Sequence, residues 1–595
     1  MAKGKVFWRN NELFIQWEKV KAGRTTYTQP VPVRDASVIK AMKQMNGLEE
    51  AEVDIELTSG NPNRITFISE ELSVKAQQEV QERALIREEQ RRKAQELEDE
   101  NDDTKKAFYN PYNFVPAPNR KGIKNELGDG VPRGHDRYHE NLLSGKLCVK
   151  MRVITPLLLP DTAKAIIKKY GEKATEIHKS FYVRVGANEK PYINPTAIKG
   201  MVRSAYEAIT NSRLSVFSSK HVEKLAYREG IKKKDYRHSP AALLPDTLKP
   251  AIDRNNLSPA DRVFGWIGQS LKKHNTYRGH LRIGTVTCNT DDAIEYFNKD
   301  RYEEWFPLQI LGEPKTQQGR FYVAKDKEGN AQQKGLTTEQ AGYNDSSKGL
   351  RGRKVYPHHK NLPADYWIDP TNSNLETSKK DLGFYKEYRR PDSNKQRDNQ
   401  NRSIQGWVKQ NVEFKFDMHF INLSAVEVGA LIWLLSLEAN QFHRFGGGKP
   451  LGFGSVHLSL EDGDIRKGEH WKEFYKSLED NEIGKLDKAA VETLATDFKT
   501  LSDSIYPTIL KSFIRASEGF DTNLPTHYPR ARHEQNSSPL PPHIDGVAYE
   551  WFVENAKKSN NDNPETQFVL LDLVNEKGES DKGLPILYHK PRGNR

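Results

Sequence analysis

Cysteine is almost missing. Cys148 and Cys288 are the only two among 595 residues, which excludes a disulfide framework and a zinc centre built from cysteines and makes a reducing cytoplasm the expected setting. Long apolar runs are missing too. No stretch is long enough to span a membrane, and Met1-Ala2-Lys3-Gly4-Lys5 lacks the apolar core of a signal peptide, so a soluble chain without a membrane partner is expected. A nucleotide-binding P-loop is also absent. The densest glycine cluster comes nearest, but the residue five positions before Gly448 is His443 and Lys449 is followed by Pro450, where Gly-x4-Gly-Lys-Ser/Thr is required.

The residues that are present describe a folded, polar chain. Apolar residues make up 36% and aromatics 10%, enough for cores, while the mean hydropathy of -0.81 implies polar loops and insertions. The length exceeds one ordinary core and predicts two or more domains. A formal net charge of +11 fits a polyanionic partner, with ordinary solvated charge as the competing explanation, since acidic and basic segments coexist.

The clearest local unit surrounds the glycines. Val412, Phe414, Phe416, Met418 and Phe420 alternate with polar residues as in a strand with one buried face. Ser424 and Glu427 form a capping box for a helix reaching about Ala439, with apolar residues at Val428, Leu431, Ile432 and Leu435. Then comes Phe442-His443-Arg444-Phe445-Gly446-Gly447-Gly448-Lys449-Pro450-Leu451-Gly452-Phe453-Gly454-Ser455, and Val456 to Leu460 alternates again. Glycines of this kind present backbone N–H groups to phosphates, or they turn the chain between a helix end and an edge strand.

Around this unit the chain divides into seven parts. Residues 1–68 read as a small β-rich domain, in which Trp8, Phe14 and Trp17 fill a core or stack on single strands. Residues 69–103 form a charged helix without a sustained heptad. A linker arm at 104–146 is rich in aromatics, Pro and Gly. A domain then starts at 147–324, is interrupted by a polar insertion at 325–411, and closes at 412–460. A helical C-terminal extension fills 461–595. Within the domain, Asn194 and Pro195 mark a helix start whose N–H groups and dipole are offered to a phosphate, with Lys199 and Arg203 four apart on one face. Asp261 and Arg262 read as structural ion-pair formers.

The run Gly446 to Ser455 closely resembles the C-terminal glycine-rich loop of the RAMP superfamily, the RNA-binding proteins of CRISPR systems. Phe108 to Pro116, Val131 to Tyr138 and Leu350 to His359 resemble segments of a long CRISPR-associated group within it, and Pro259 to Gly268 resembles the family's Leu-Phe-Gly segment. The resemblance implies an α+β fold: a ferredoxin-like (RRM-like) domain with a large polar insertion, a small N-terminal β-barrel-like domain and a helical C-terminal extension. It also implies a backbone subunit of a type III CRISPR effector complex, with crRNA, target RNA and other effector subunits as partners. Thr196, Lys199 and Arg203 match the family's guide-gripping helix start by position, whereas Asn194-Pro195 departs from its Pro-Gly. The implied RNA contacts are these three with His443, Arg444, Gly446, Gly447, Gly448, Lys449, Gly452 and Gly454. An aspartate between the first strand and the helix would make such a subunit an endoribonuclease using Mg2+. Asp161 is the nearest carboxylate of that type, Glu176 is a second choice, and His178 or His443 would serve metal-free acid-base cleavage, while His443 near a helix C-terminus is equally placed to interact with the helix dipole.

Overall fold

The computed structural model describes residues 2–21, 24–44, 48–58, 61–69, 72, 107–169, 177–215, 240–268, 275–311, 318–379, 383–391, 397–477, 482–533, 548–559, 565–575, 578 and 581–590. Glu176 and, apart from Ser69 and Leu72, the charged helix at 69–103 lie outside these residues. The chain forms two compact units, residues 1–105 and 106–595.

In the first unit, antiparallel strands run in the order Arg24–Tyr27, Glu12–Lys21, Ala2–Arg9, Glu50–Thr58, Asn61–Phe67. Alternation sends Leu13, Ile15 and Trp17 to the face that also buries Val6, Val53 and Ile55. A helix over Ala36–Gln44, which the sequence reading lacked, covers that face with Val38, Ala41 and Met42. Trp17 is therefore core, Trp8 packs against it, and Phe14 is half-buried. Among the described residues no pairing joins the two edges, so the sheet is open where a barrel was expected.

The second unit is built on a sheet of four main strands, β1 (Leu143–Val153), β2 (Leu281–Ile283), β3 (Glu413–Leu423) and β4 (Ser455–Lys467), in the antiparallel order β2-β3-β1-β4. Helices α1 (Pro195–Ile209) and α2 (Ala425–Leu435) share one core with a single face of it. Leu147, Val149, Met151, Phe414, Phe416, Met418, Val456 and Leu458 meet Ile198, Val202, Tyr206, Leu431 and Leu435 there. Each such side chain contributes about 1.5–3 kcal/mol on burial. The expected caps are in place, with Glu427 N–H donating to Ser424 Oγ at 3.2 Å and Asn194 capping α1. Arg262 pairs with the buried Glu427 at 2.7 Å.

Three expectations change in detail. β4 runs past Leu460 to Lys467, because a bulge between Leu460 and Asp462 lets it pair along all of β1. The helices of the extension begin only afterwards, at Gly468–Phe474, Lys488–Ile505, Ile509–Glu518 and Ala548–Ala556. The polar insertion contributes Tyr366, Tyr388 and Trp407 to a core that it shares with Leu158, Leu451 and Phe453 of the domain. The aromatic arm docks on the same chain: Phe108 stacks on His527 at 4.4 Å and shares a cluster with Trp551 and Phe321. Among the described residues no helix is long and apolar enough to cross a membrane.

Candidate functional site

The glycine loop is held on both sides. Gly447 N–H donates to Leu158 C=O at 3.0 Å and Gly454 N–H to Pro156 C=O at 2.9 Å, which stitches the loop to the segment after β1. Gly446 (φ 75°) and Gly454 (φ 74°) lie in the left-handed region. A Cβ on Gly446 would stand 2.6 Å from the Leu158 carbonyl oxygen, and one on Gly454 would strike the Phe445 carbonyl, so both positions require glycine. From the insertion, Trp367 packs on Phe453 at 4.9 Å and His358 Nδ1 lies 2.8 Å from Ser455 Oγ. The loop is thus braced before any ligand arrives.

Opposite it stands the start of α1. Here the expectation of free helix N–H groups is corrected: Pro195 has none, Thr196 N–H donates to Asn194 Oδ1 at 3.0 Å, and Ala197 N–H donates to Asn194 C=O at 2.8 Å. The helix offers a small-residue floor instead. Ala197, Gly200 and Ser204 line a groove of about 440 Å3 whose far wall is Arg444, Phe445, Gly446, Gly447 and Lys449. Beyond Ser204 it opens into a cleft of about 540 Å3 that reaches Lys327, Lys354 and Tyr356.

The charge in the groove is one-sided. Arg444 donates through Nη2 to Lys449 C=O at 2.7 Å and through Nη1 to Ser455 Oγ, both neutral acceptors. Among the described residues no carboxylate pairs with Arg444, Lys449 or Arg184. Burial pulls Arg444 down to about 9, which still leaves it a cation at neutral pH. Lys449 is lowered by burial and then by Arg444. The N–H groups of Gly446 and Gly448 donate to no protein acceptor among the described residues. At the mouth, Arg184 lies over the Tyr192 ring at 5.1 Å, and Tyr192 is 37% exposed. Half-buried cations without counter-charges stand next to unused N–H donors here, an arrangement whose chemistry complements an anionic group.

The remaining candidates separate. Gly448 shares the half-exposed rim of the loop, whereas Gly452 and Gly454 are buried in its base. Arg203 is held by Asp261 at 3.2 Å and by Gly265 C=O at 2.8 Å, so the predicted structural role of Asp261 absorbs a predicted RNA contact. Thr196 and Lys199 face the neighbouring flank of α1, where Lys199 Nζ donates to Leu281 C=O at 2.7 Å. His443 is buried, its Nε2 2.8 Å from Leu434 C=O, and burial lowers it to about 4; it is a neutral tie to the end of α2. His178 is buried in another sheet, with Nδ1 2.9 Å from Asp398 C=O and Nε2 2.9 Å from Ser403 Oγ, so neither ring nitrogen is free for acid-base work. Asp161 caps its own turn, accepting from Ala163 N–H at 3.1 Å, and follows Pro160 at the groove's end. Among the described residues no group of three or more His, Cys, Asp or Glu side chains is placed to hold a metal ion. The sequence reading missed Arg184 and His358; the turn at Gly186 to Glu189, which sets Arg184 opposite Tyr192, was the available signal for the first.

On the open face of the sheet several charges are paired. Lys146 pairs with Asp417 at 3.8 Å, Lys150 with Glu413 and Glu461 at 3.7 and 3.4 Å, and Lys415 with Glu461 at 2.8 Å. These ladders neutralise one another.

No curated protein matches the chain. Among solved structures, Thermofilum pendens Csc2 is 12% identical, with 65% of this chain and 90% of that chain covered at a TM-score of 0.22. A chain of a Type IV-B CRISPR complex is 9% identical, with 53% and 90% covered at 0.20. A model of the RAMP superfamily matches residues 150–457, from β1 to the first residues of β4, which takes in both walls of the groove and more than half of the sequence; the chain belongs to the RAMP superfamily.

Proposed function

We propose that this chain is an RNA-binding backbone subunit of a type III CRISPR effector complex in the cytoplasm, holding crRNA by its sugar-phosphate backbone and placing target RNA alongside. One observation carries the reading: Arg184, Arg444 and Lys449 face a single groove without acidic partners, between a braced glycine loop and a floor of small side chains. Contacts of this kind ignore base sequence, which suits a subunit that must accept any guide. The strand order β2-β3-β1-β4 with two helices on one face supports a ferredoxin-like core, and family membership supports the partnership with other effector subunits. Titrating the full chain with labelled single-stranded RNAs of unrelated sequence tests the claim. Similar affinities that fall steeply with salt are expected; a flat salt response or dependence on one sequence would contradict it.

A second reading is an endoribonuclease within the same complex. Asp161, next in sequence to the groove-lining Pro160, favours it. Mg2+ held there would polarise the scissile phosphate.

A further inference from the structure

Arg444 lines the groove, and the direction of its guanidinium is set by two bonds inside the protein. Nη2 donates to Lys449 C=O at 2.7 Å and Nη1 donates to Ser455 Oγ. Nε is buried with no hydrogen-bond partner. A guanidinium is a planar fork, so bonds at both Nη atoms fix where every remaining N–H points.

Ser455 is fully buried, and its Oγ meets a second polar group, His358 Nδ1, at 2.8 Å. An arginine can only donate. The Ser455 hydroxyl proton therefore goes to His358 Nδ1, and the imidazole is neutral with its own proton on Nε2. The reverse direction would strand the hydroxyl proton, because no other bond from Ser455 Oγ is found among the described residues. Burial, then Arg444 and Lys360, lower the His358 pKa to about 3, which agrees with a neutral acceptor.

His358 belongs to the insertion, 97 residues from Ser455 in sequence, and is itself held. Its N–H donates to Ala516 C=O at 2.8 Å, and its ring packs edge-to-face with Phe442 at 4.6 Å. Two residues on, Lys360 pairs with Asp521, which also binds Arg515 at 2.7 Å. A chain of directed hydrogen bonds thus links an anchored segment of the insertion, through Ser455, to the buried cation of the groove.

We infer that His358 is a positioning residue for the groove: by taking the Ser455 hydroxyl proton it turns an Oγ lone pair onto Arg444 Nη1 and holds the guanidinium with its remaining N–H groups ready for a phosphodiester. This rests on the reading that the groove holds RNA. It makes the insertion part of the grip, although none of its described residues lines the 440 Å3 groove.

The test titrates labelled single-stranded RNA, at several salt concentrations, into the full chain freed of nucleic acid by high salt. His358→Leu fills the space but offers no acceptor. It should weaken binding about threefold to tenfold, the cost of ordering a rotamer-rich side chain on binding. The salt slope should hold, because the phosphate contacts are still made. His358→Asn, whose amide oxygen can stand where Nδ1 stood, should bind within about twofold of the parent. Ser455→Ala should match His358→Leu, and the pair together should cost no more than either alone, as links of one chain do.

Parent-like affinity in His358→Leu would overturn the inference. So would a loss in His358→Asn as large as in His358→Leu, which marks a packing role, or an undiminished effect of His358→Leu in an Arg444→Ala background. Should His358→Leu melt early, Ser455→Ala, which removes a single oxygen, carries the same comparison. Parent-like binding by Arg444→Ala would sink the groove reading and the inference with it, whereas weak binding by Arg444→Ala beside parent-like binding by His358→Leu would sink the inference alone.

Discussion

Lys449 offers the sharpest separation of binding from folding. It is half-buried beside Arg444, and its ammonium makes no hydrogen bond or ion pair among the described residues; burial and the neighbouring guanidinium both disfavour its charge. The folded state carries that charge at a cost, because a desolvated cation without a partner destabilises its surroundings. Replacing it should therefore leave the melting temperature unchanged or raise it. Binding should move the other way. A charge-assisted hydrogen bond to phosphate is worth about 1.5–3 kcal/mol, so Lys449→Ala weakens RNA affinity by roughly tenfold to 150-fold. The slope of log affinity against log salt becomes shallower by about 0.7. Fluorescence anisotropy at several salt concentrations, together with thermal melting of the same preparation, reads both quantities. A lowered melting temperature with unchanged affinity and slope would show that Lys449 is structural and would refute the reasoning.

Three further outcomes follow from the geometry. Gly454→Ala meets both a positive φ and the Phe445 carbonyl and should destabilise by at least about 1–2 kcal/mol. By contrast, a Cβ on Gly200 meets nothing within 4 Å, so Gly200→Ala should stabilise by roughly 0.5–1 kcal/mol; denaturant melts of the pair compare them. His443 is held neutral, with a folded pKa of about 4 against an unfolded value near 6.5. Its contribution is thus complete above about pH 6.5 and is lost as pH falls towards 4, and His443→Gln should flatten the fall in melting temperature over that window. For Asp161, the binding reading expects Asp161→Ala to leave cleavage of complementary RNA by the magnesium-supplied assembly unchanged. Loss of the cut with assembly intact would favour the endoribonuclease.

Local signals made part of this architecture legible. The alternation from Val412 to Phe420, the Ser424 and Glu427 box and the Asn194 cap each depend on neighbours within a few residues, and all three stand where the sequence put them. Asp261 and Arg262 were read as structural and are ion-paired. What stayed hidden is set by tertiary contacts. Nothing near Arg203 in sequence announces Asp261, 58 residues away, and nothing near Ser455 announces His358. The insertion reads as polar because its apolar residues are few and unevenly spaced, yet Tyr366, Tyr388 and Trp407 are large enough to form a core with Phe453. His443 reads in sequence as an RNA contact, an acid-base group or a partner of the preceding helix C-terminus, and the fold ties it to the end of α2 in its neutral form. The site was legible as a loop and a helix start; which flank of the helix faces the loop depended on the packing of α1 against the sheet.

The most direct test of the central claim is to co-express the chain with the products of its neighbouring genes, purify the assembly at low salt, and sequence the RNA that comes with it. The account predicts bound RNAs with uniform, repeat-derived ends, depleted when Arg444 and Lys449 are both replaced by alanine. An assembly free of nucleic acid, or one whose RNA is untouched by that double replacement, would contradict it.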